Sequence, residues 1–400
     1  MPARLETRAV QAGEARPASY DALTVPVVMS STYTFADTNA VQTFVEGKTR
    51  DGMPERYEYG RYGNPTQTSA ERKLANLDGG ERALLFASGM AAITTSVLAL
   101  LSAGDHLIVA GDVYRRTRAF AGEILPRFGV ETAFCAPEEI AGAYRPSTRV
   151  VLLEVPTNPH LRVADLERIA EWARSKDVLT LVDATFATPI NLRPIEWGAD
   201  LVIHSATKYI GGHNDLLAGA VIGRTEQLDA IEQSRGILGS IASPMDAYLV
   251  LRGAKTLPIR VDRQNESAQR LAEHLERHPA VGRVYYPGLP SHPDHAVARR
   301  LMSGFGGVVS FEPAGGRPAA SACVDRLKIP RIGPTFGGVE SIVQQQALFI
   351  SSDPAERAKH GISDGLIRYA VGIESIDDLI ADLDQALGSQ ETRGGDRDAA

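Results

Sequence analysis

Cysteine is almost missing from this sequence, with Cys135 and Cys323 the only two in 400 residues. So few thiols cannot build a disulfide framework, and no Cys/His cluster falls at metal-ligand spacing. The expectation is a reducing compartment with both thiols packed in the interior. Aromatic residues are also scarce, at 6%, and no dense Lys/Arg block interrupts a chain whose net charge is −7. That balance argues against nucleic acid or an anionic membrane as the main partner. The longest apolar run, Met90 to Leu101, is too short for a bilayer and reads as a buried helix. The start, MPARLETRAV, has no apolar stretch of the signal-peptide kind, so a cytoplasmic location is expected. No G-x-G-x-x-G opens a helix and no GxxxxGK[ST] occurs, which leaves dinucleotide and P-loop readings unsupported. His106, His204 and His213 match no metal site in their spacing and read as structural.

What is present is a chain too long for one small core, suited to a large domain plus a smaller one. Residues 1–60 are punctuated by Pro17, Pro26, Gly47, Gly52 and Pro54 and read as an arm that lies on a neighbouring subunit. From 61 to 256 short apolar runs alternate with amphipathic ones. His106–Ala110, Arg149–Leu153, Leu179–Val182, Leu201–His204 and Ala218–Ile222 read as strands, and Glu71–Leu77, Thr117–Phe128 and Ala164–Lys176 as helices. Strands apolar on both faces and separated by helices predict an α/β domain with a mostly parallel sheet, its site at the carboxyl ends of the strands. Tyr114, Asn158, Asp183 and Ser205 each follow such a run. Residues 257–387 read as a smaller α+β domain, with a long helix at Val261–His278, extended runs at Gly307–Phe311 and Leu366–Val371, and a last helix at Ser375–Leu387. Residues 388–400 are polar and Gly-containing and read as a disordered tail.

Asp183 ends the apolar run of LVDATFATP, and Lys208 follows 25 residues later in HSATKYIGGH. A lone acid at a strand end is usually a cap, and a lone lysine here is as readily a surface group as a functional one. Together they match the needs of pyridoxal phosphate: an amine to condense with its aldehyde, and a carboxylate to keep its pyridine nitrogen protonated. A phosphate fits Ser88-Gly89-Met90, where glycine and a helix N-terminus offer backbone N–H groups to a dianion. Ser205 and Thr207 add hydroxyls at positions −3 and −1 from the lysine.

These and further motifs resemble the cystathionine gamma-synthase and lyase family, the Cys/Met metabolism group of fold-type I (aspartate aminotransferase-like) pyridoxal-phosphate enzymes. The resemblance runs from about Thr7 to Leu387 and rests on YEYGRYGNPT (57–66), ASGMAAI (87–93), EVPTNPHLRV (154–163), VDATFATP (182–189), HSATKYIGGHND (204–215) and LIRYAVGIES (366–375). It implies that Lys208 carries the cofactor and moves protons between substrate carbons, and that Asp183 partners the pyridine nitrogen. Gly89, Met90, Ser205 and Thr207 then form the phosphate cup. Tyr59 and Arg61 reach the phosphate of a neighbouring subunit, in a homotetramer built as a dimer of dimers. Tyr114 stacks on the cofactor and serves as acid or base. Arg368 holds the substrate carboxylate with Asn158 nearby, a task that suits a bidentate guanidinium. A catalytically silent cofactor-binding protein would have lost the lysine, aspartate or arginine, and all three are kept.

The family divides into γ-replacement, γ-elimination and β-elimination enzymes, so the scaffold alone does not name the reaction. Tyr114 is followed by Arg115, Arg116 and Thr117; the segment 323–343 contains Pro334-Thr335-Phe336; and the run HPAVGRVYYPGLPSHPDHAVARRLMSGFGGVVSFE is continuous. These features resemble the plant-type branch of cystathionine gamma-synthase, and place Arg116 and Thr335 at the substrate. The expected reaction is γ-replacement on an O-activated homoserine with cysteine, a transsulfuration step of methionine and cysteine metabolism. The alternative is a γ-lyase releasing 2-oxobutanoate and ammonia from methionine, cystathionine or another γ-substituted amino acid. One departure from the family pattern stands out: after GGVES the chain reads IVQQQALFI, so that Gln344–Ile350 marks altered specificity.

Overall fold

The computed structural model describes residues 3–14, 19–48, 56–350, 357 and 361–388; the tail from 389 on, with Pro17, Gly52 and Pro54, lies outside the described residues. The chain forms two compact units, one of Met1–Val155 with Ala164–Ile259, the other of Pro156–Val163 with Arg260–Ala400. The division at 259/260 falls inside the helix Leu257–Arg277, and the loop carrying Asn158 joins the second unit. The first sixty residues group with the first unit and are less irregular than their prolines imply, since they include the helices Leu5–Gln11 and Thr38–Lys48.

The first unit is built on seven strands: β1 (Arg82–Phe86), β2 (His106–Ala110), β3 (Glu131–Cys135), β4 (Thr148–Glu154), β5 (Leu179–Asp183), β6 (Leu201–His204) and β7 (Gly219–Gly223). Their order is β1-β7-β6-β5-β4-β2-β3, and only β7 runs antiparallel to its neighbours. Strands β2 and β6 are buried along their whole length, as expected of a sheet covered on both faces. The helix Gly89–Leu100 buries Ala92, Ile93 and Val97 in the core with Leu84, Val109, Leu152, Leu181, Ile203 and Val221 of the strands. Cys135 closes the edge strand β3 and is only partly covered, unlike Cys323, which is buried.

The helix expected at Thr117–Phe128 is three pieces: an α-turn at Arg115–Ala119, a π-turn at Phe120–Ile124 and a 3₁₀ turn at Leu125–Phe128. Pro126 explains the break, because it has no N–H to continue the α-helical ladder.

The second unit holds a five-stranded sheet of β8 (Val281–Tyr285), β9 (Val308–Pro313), β10 (Arg331–Ile332), β11 (Ile342–Gln345) and β12 (Ile367–Ala370), in the order β10-β11-β12-β9-β8. It is antiparallel except at β10–β11. The Gln345 Oε1 accepts from Ser321 at 2.8 Å, so its side of the sheet is the one covered by the helix Gly316–Arg326. Side chains alternate along a strand, which puts Gln344 and its cross-strand partner Arg368 on the opposite face.

Candidate active site

In the first unit the turns after β1, β5 and β6 converge. Ser88 caps the helix Gly89–Leu100, its Oγ accepting from the Ala91 N–H at 3.0 Å. The N–H groups of Gly89 and Met90 have no acceptor among the described residues, so two donors at a helix N-terminus point outward. Glycine is required at 89, because a Cβ there would stand 2.8 Å from the Ser205 Cβ. Gly219 on β7 is equally constrained, since its Cβ would meet the Ser88 carbonyl at 2.1 Å. The Ser205 hydroxyl lies beside Gly89 and makes no hydrogen bond among the described residues. Thr207 differs: its hydroxyl donates to the Ala218 carbonyl at 3.2 Å and accepts from the Ala218 N–H at 3.0 Å. Lys208 follows in the same turn, its N–H donating to the Ser205 carbonyl at 3.1 Å.

Asp183 closes β5 with one oxygen engaged. Its Oδ1 accepts from the Thr185 hydroxyl at 2.5 Å and the Thr185 N–H at 3.0 Å, while no hydrogen bond among the described residues reaches Oδ2. Thr185 in turn accepts from the Ser205 N–H at 2.8 Å, tying this carboxylate to the turn beside Gly89. Burial raises the Asp183 carboxyl above its ordinary value, against the pull of the Thr185 hydrogen bonds and of His204. Burial also pulls the His204 imidazole down, but Asp78, whose two oxygens lie 3.0 and 3.1 Å from Nε2, raises it overall. A buried acid raised by desolvation is poised for a cation on its second oxygen. The other histidines are bound structurally, His106 Nδ1 to Thr148 at 2.8 Å and His213 Nδ1 to the Gly211 carbonyl at 2.8 Å.

Tyr114 precedes the turn Arg115–Ala119 and is fixed by its own N–H, which donates to the buried Glu154 at 2.6 Å. Glu154 is the cross-strand neighbour of Asp183, so Tyr114 is anchored next to the strand that carries it. Thr117 reaches the Met90 sulfur at 3.7 Å, joining this turn to the Gly89 helix. Arg115 and Arg116 are exposed, and neither makes an ion pair or a side-chain hydrogen bond among the described residues.

Tyr59 and Arg61 stand apart from this cluster. The Arg61 Nη1 donates to the Gly236 carbonyl at 2.6 Å and the guanidinium lies over the Tyr62 ring, 4.8 Å from its centroid. Neither residue hydrogen-bonds Gly89, Met90, Ser205 or Thr207 among the described residues.

In the second unit Arg368 on β12 is 4% exposed and is held on three sides. It donates to Asn158 Oδ1 at 3.2 Å, to the Thr335 carbonyl at 3.3 Å and to Gln344 Oε1 at 2.7 Å, with the Phe336 ring 5.2 Å away. Thr335 thus contributes its backbone to Arg368, and Asn158 and Arg368 meet as expected.

Four further participants are given no individual role by the sequence reading. Thr185 was accessible from the Asp-x-Thr spacing, which favours an Asx turn; Glu154 from its place as the last residue of an apolar strand. Gln344 stands out only as part of the unusual segment 344–350, and its bond to Arg368 depends on a cross-strand neighbour. Gly219 carries no local signal, since it answers to a turn 130 residues away.

The architecture is shared with solved structures. One is cystathionine gamma synthase from Xanthomonas oryzae pv. oryzae in complex with aminoacrylate and cysteine, 38% identical over 97% of this chain and 98% of that one, with a TM-score of 0.90. The chain therefore has the fold-type I, aspartate aminotransferase-like architecture, a large α/β unit with a mostly parallel sheet and a smaller α+β unit. It belongs to the Cys/Met metabolism PLP-dependent enzyme family, whose model matches residues 6–388. It is 46% identical to cystathionine gamma-synthase 1, chloroplastic, of Nicotiana tabacum over 95% of this chain and 71% of the relative. To L-methionine gamma-lyase of Fusobacterium nucleatum subsp. polymorphum it is 40% identical, over 96% and 98%. It is thus a pyridoxal-phosphate enzyme of sulfur amino-acid metabolism, and its residues fit that cofactor: two outward N–H donors and an unbonded hydroxyl for a phosphate, and a buried carboxyl with one oxygen open for a protonated ring nitrogen. Among the described residues no helix is long and apolar enough to cross a membrane.

Proposed function

We propose that this enzyme catalyses γ-replacement, joining cysteine to an O-activated homoserine. The observation that carries the reading is Arg116, an exposed cation two residues beyond Tyr114 with no carboxylate partner among the described residues. An arginine tied up in a surface ion pair would be a solvated bystander. One left uncommitted beside the anchored tyrosine suits the anionic succinyl or phosphoryl group at the far end of the activated side chain. The higher identity to relatives named cystathionine gamma-synthase, 46% against 40% for the γ-lyase, supports the same choice.

Pyridoxal phosphate, when bound, supplies an electron sink that loosens the hydrogens on substrate carbons near the amine. Lys208 would hold it through its amine and would carry protons between those carbons. Gly89 and Met90 offer N–H groups, and Ser205 its hydroxyl, to the phosphate; Thr207 shares the cup through the turn it closes with Ala218. Asp183, held by Thr185, would hold the protonated ring nitrogen with its second oxygen. Tyr114, anchored on Glu154, would lie against the bound cofactor and serve as acid or base. Arg368, steadied by Asn158, Gln344 and the Thr335 carbonyl, takes the substrate α-carboxylate. Tyr59 and Arg61 complete the phosphate site of a second copy, which makes the working form at least a dimer and, by family resemblance, a tetramer.

The test is a panel of succinyl-, acetyl- and phosphohomoserine with the purified enzyme, with and without cysteine, following cystathionine and 2-oxobutanoate in parallel. Cystathionine formed only when cysteine is present is expected, and Arg116→Ala should raise the KM for the anionic donor by about 10-fold. Release of 2-oxobutanoate from methionine or cystathionine, with no cystathionine made, would overturn the proposal in favour of a γ-lyase.

A further inference from the structure

The unusual glutamines of 344–346 are three neighbours with three different fates. Gln344 turns its oxygen to Arg368, and Gln345 is spent on the far side of the sheet, binding Ser321 and the Asp364 carbonyl. Gln346 begins the short helix Gln346–Ile350 yet still belongs to the ladder, since its N–H donates to the Leu366 carbonyl at 2.9 Å, one step beyond the pair Gln345↔Ile367. Alternation along the strand puts it on the face of Gln344 and Arg368. The residue is 5% exposed, and its Nε2, shielded from solvent, meets no acceptor among the described residues. Buried amide donors are nearly always satisfied, and an unmet one is costly to the fold unless a ligand completes it.

We propose that Gln346 is a substrate-binding residue whose amide donates to an oxygen of the α-carboxylate taken by Arg368. The inference rests on the assignment of Arg368 to that carboxylate. A carboxylate carries about four lone-pair sites, more than the ends of one guanidinium fill. The terminal nitrogens of Arg368 are already shared with Asn158, Thr335 and Gln344. Gln346 is an unspent donor on that face, and it adds directionality without adding charge. The departure from the family pattern at this position then bears on how the amino acid is gripped, whatever leaves from its γ-carbon.

Gln346→Met keeps the length and burial of the side chain and removes the donor. Calorimetric titration of the cofactor-loaded enzyme with L-alanine should show about 10-fold weaker binding in this variant, the effect of one charge-assisted hydrogen bond. Ethylamine, which is alanine without its carboxylate, should bind wild type and variant equally. In turnover KM should rise by a similar factor with kcat within about twofold, the pattern of lost uniform binding. Gln346→Glu, which sets a second anion against the carboxylate, should weaken L-alanine further. Unchanged L-alanine binding in Gln346→Met while Arg368→Lys loses it overturns this inference alone. Equal weakening of both ligands together with a lower Tm also overturns it, assigning Gln346 to the fold. L-alanine binding left intact by Arg368→Lys overturns the assignment of Arg368, and this inference with it.

Discussion

Lys208 is placed by local chemistry more than by distant contacts. Its N–H closes a tight turn on Ser205, and Gly212 closes the next on the Lys208 carbonyl at 2.7 Å, so the amine leaves a backbone that cannot swing. Lys208→Ala should abolish turnover and the visible absorbance of the covalently held cofactor, as spectra of the purified variant would show; a variant keeping both would refute the role. At this scale the site was largely legible. Lys208, Asp183, Ser205 and Gly89 stand out because each breaks an apolar or helical pattern with a group that pattern does not need. Arg368 and Asn158, 210 residues apart, were expected together only through the family resemblance, because no local pattern links them. The Thr207 hydroxyl shows the limit of such reading: its place in the sequence suggested an anion ligand, but only the fold reveals that Ala218 bonds it in both directions.

Among elements, the helix Leu5–Gln11 is the one the sequence hides best. It has seven residues and no side-chain cap, too little to persist alone. It survives because the helix Pro65–Asp78 reaches out to it: Lys73 donates to the carbonyls of Ala9 at 2.8 Å and Val10 at 3.1 Å, and Arg8 binds the Asn76 side chain at 2.9 Å. Burial lowers Lys73 to about 8 from an ordinary 10.5, with Glu14 resisting the shift. Between those two values the unfolded chain binds more protons than the folded one, so this residue makes stability rise with pH. Below about 8 its contribution is flat. Urea melts from pH 7.5 to 10.5 should therefore show a rising component that Lys73→Met removes; equal slopes in both proteins would exclude it. The same logic of burial explains which strands could be read. β2 and β6 are buried throughout and were recognisable to the residue, whereas β3 is an edge strand with exposed Glu131 and Phe134, and its alternation is lost among loops.

For the whole molecule, the alternation of apolar runs and helices was enough to foresee a mostly parallel sheet and a smaller second unit. The loop Pro156–Val163 joining that second unit could not be foreseen, because membership depends on long-range bonds such as that from Ser310 to the Pro159 carbonyl at 2.8 Å. The tyrosines 59 and 62 are 43% and 48% exposed, and among the described residues Arg61 engages the Gly236 carbonyl and the Tyr59 and Tyr62 rings and not the turn at Gly89. If those residues serve a second copy, two dead variants should repair each other. Arg61→Ala and Lys208→Ala, refolded together from denaturant, should regain activity that neither has alone; a mixture as inactive as its parts would place each complete site within one chain.

The bridge through Thr185 has one more consequence. A single hydroxyl accepts from the Ser205 amide and donates to the Asp183 carboxylate, the two groups proposed for the phosphate and the ring nitrogen, so each bond polarises the other. On that proposal the two halves of the cofactor would be recognised cooperatively rather than one at a time. Pyridoxal lacking its phosphate would lose not only the contacts of the missing group but part of the grip on the ring that remains, and free inorganic phosphate would restore some of it.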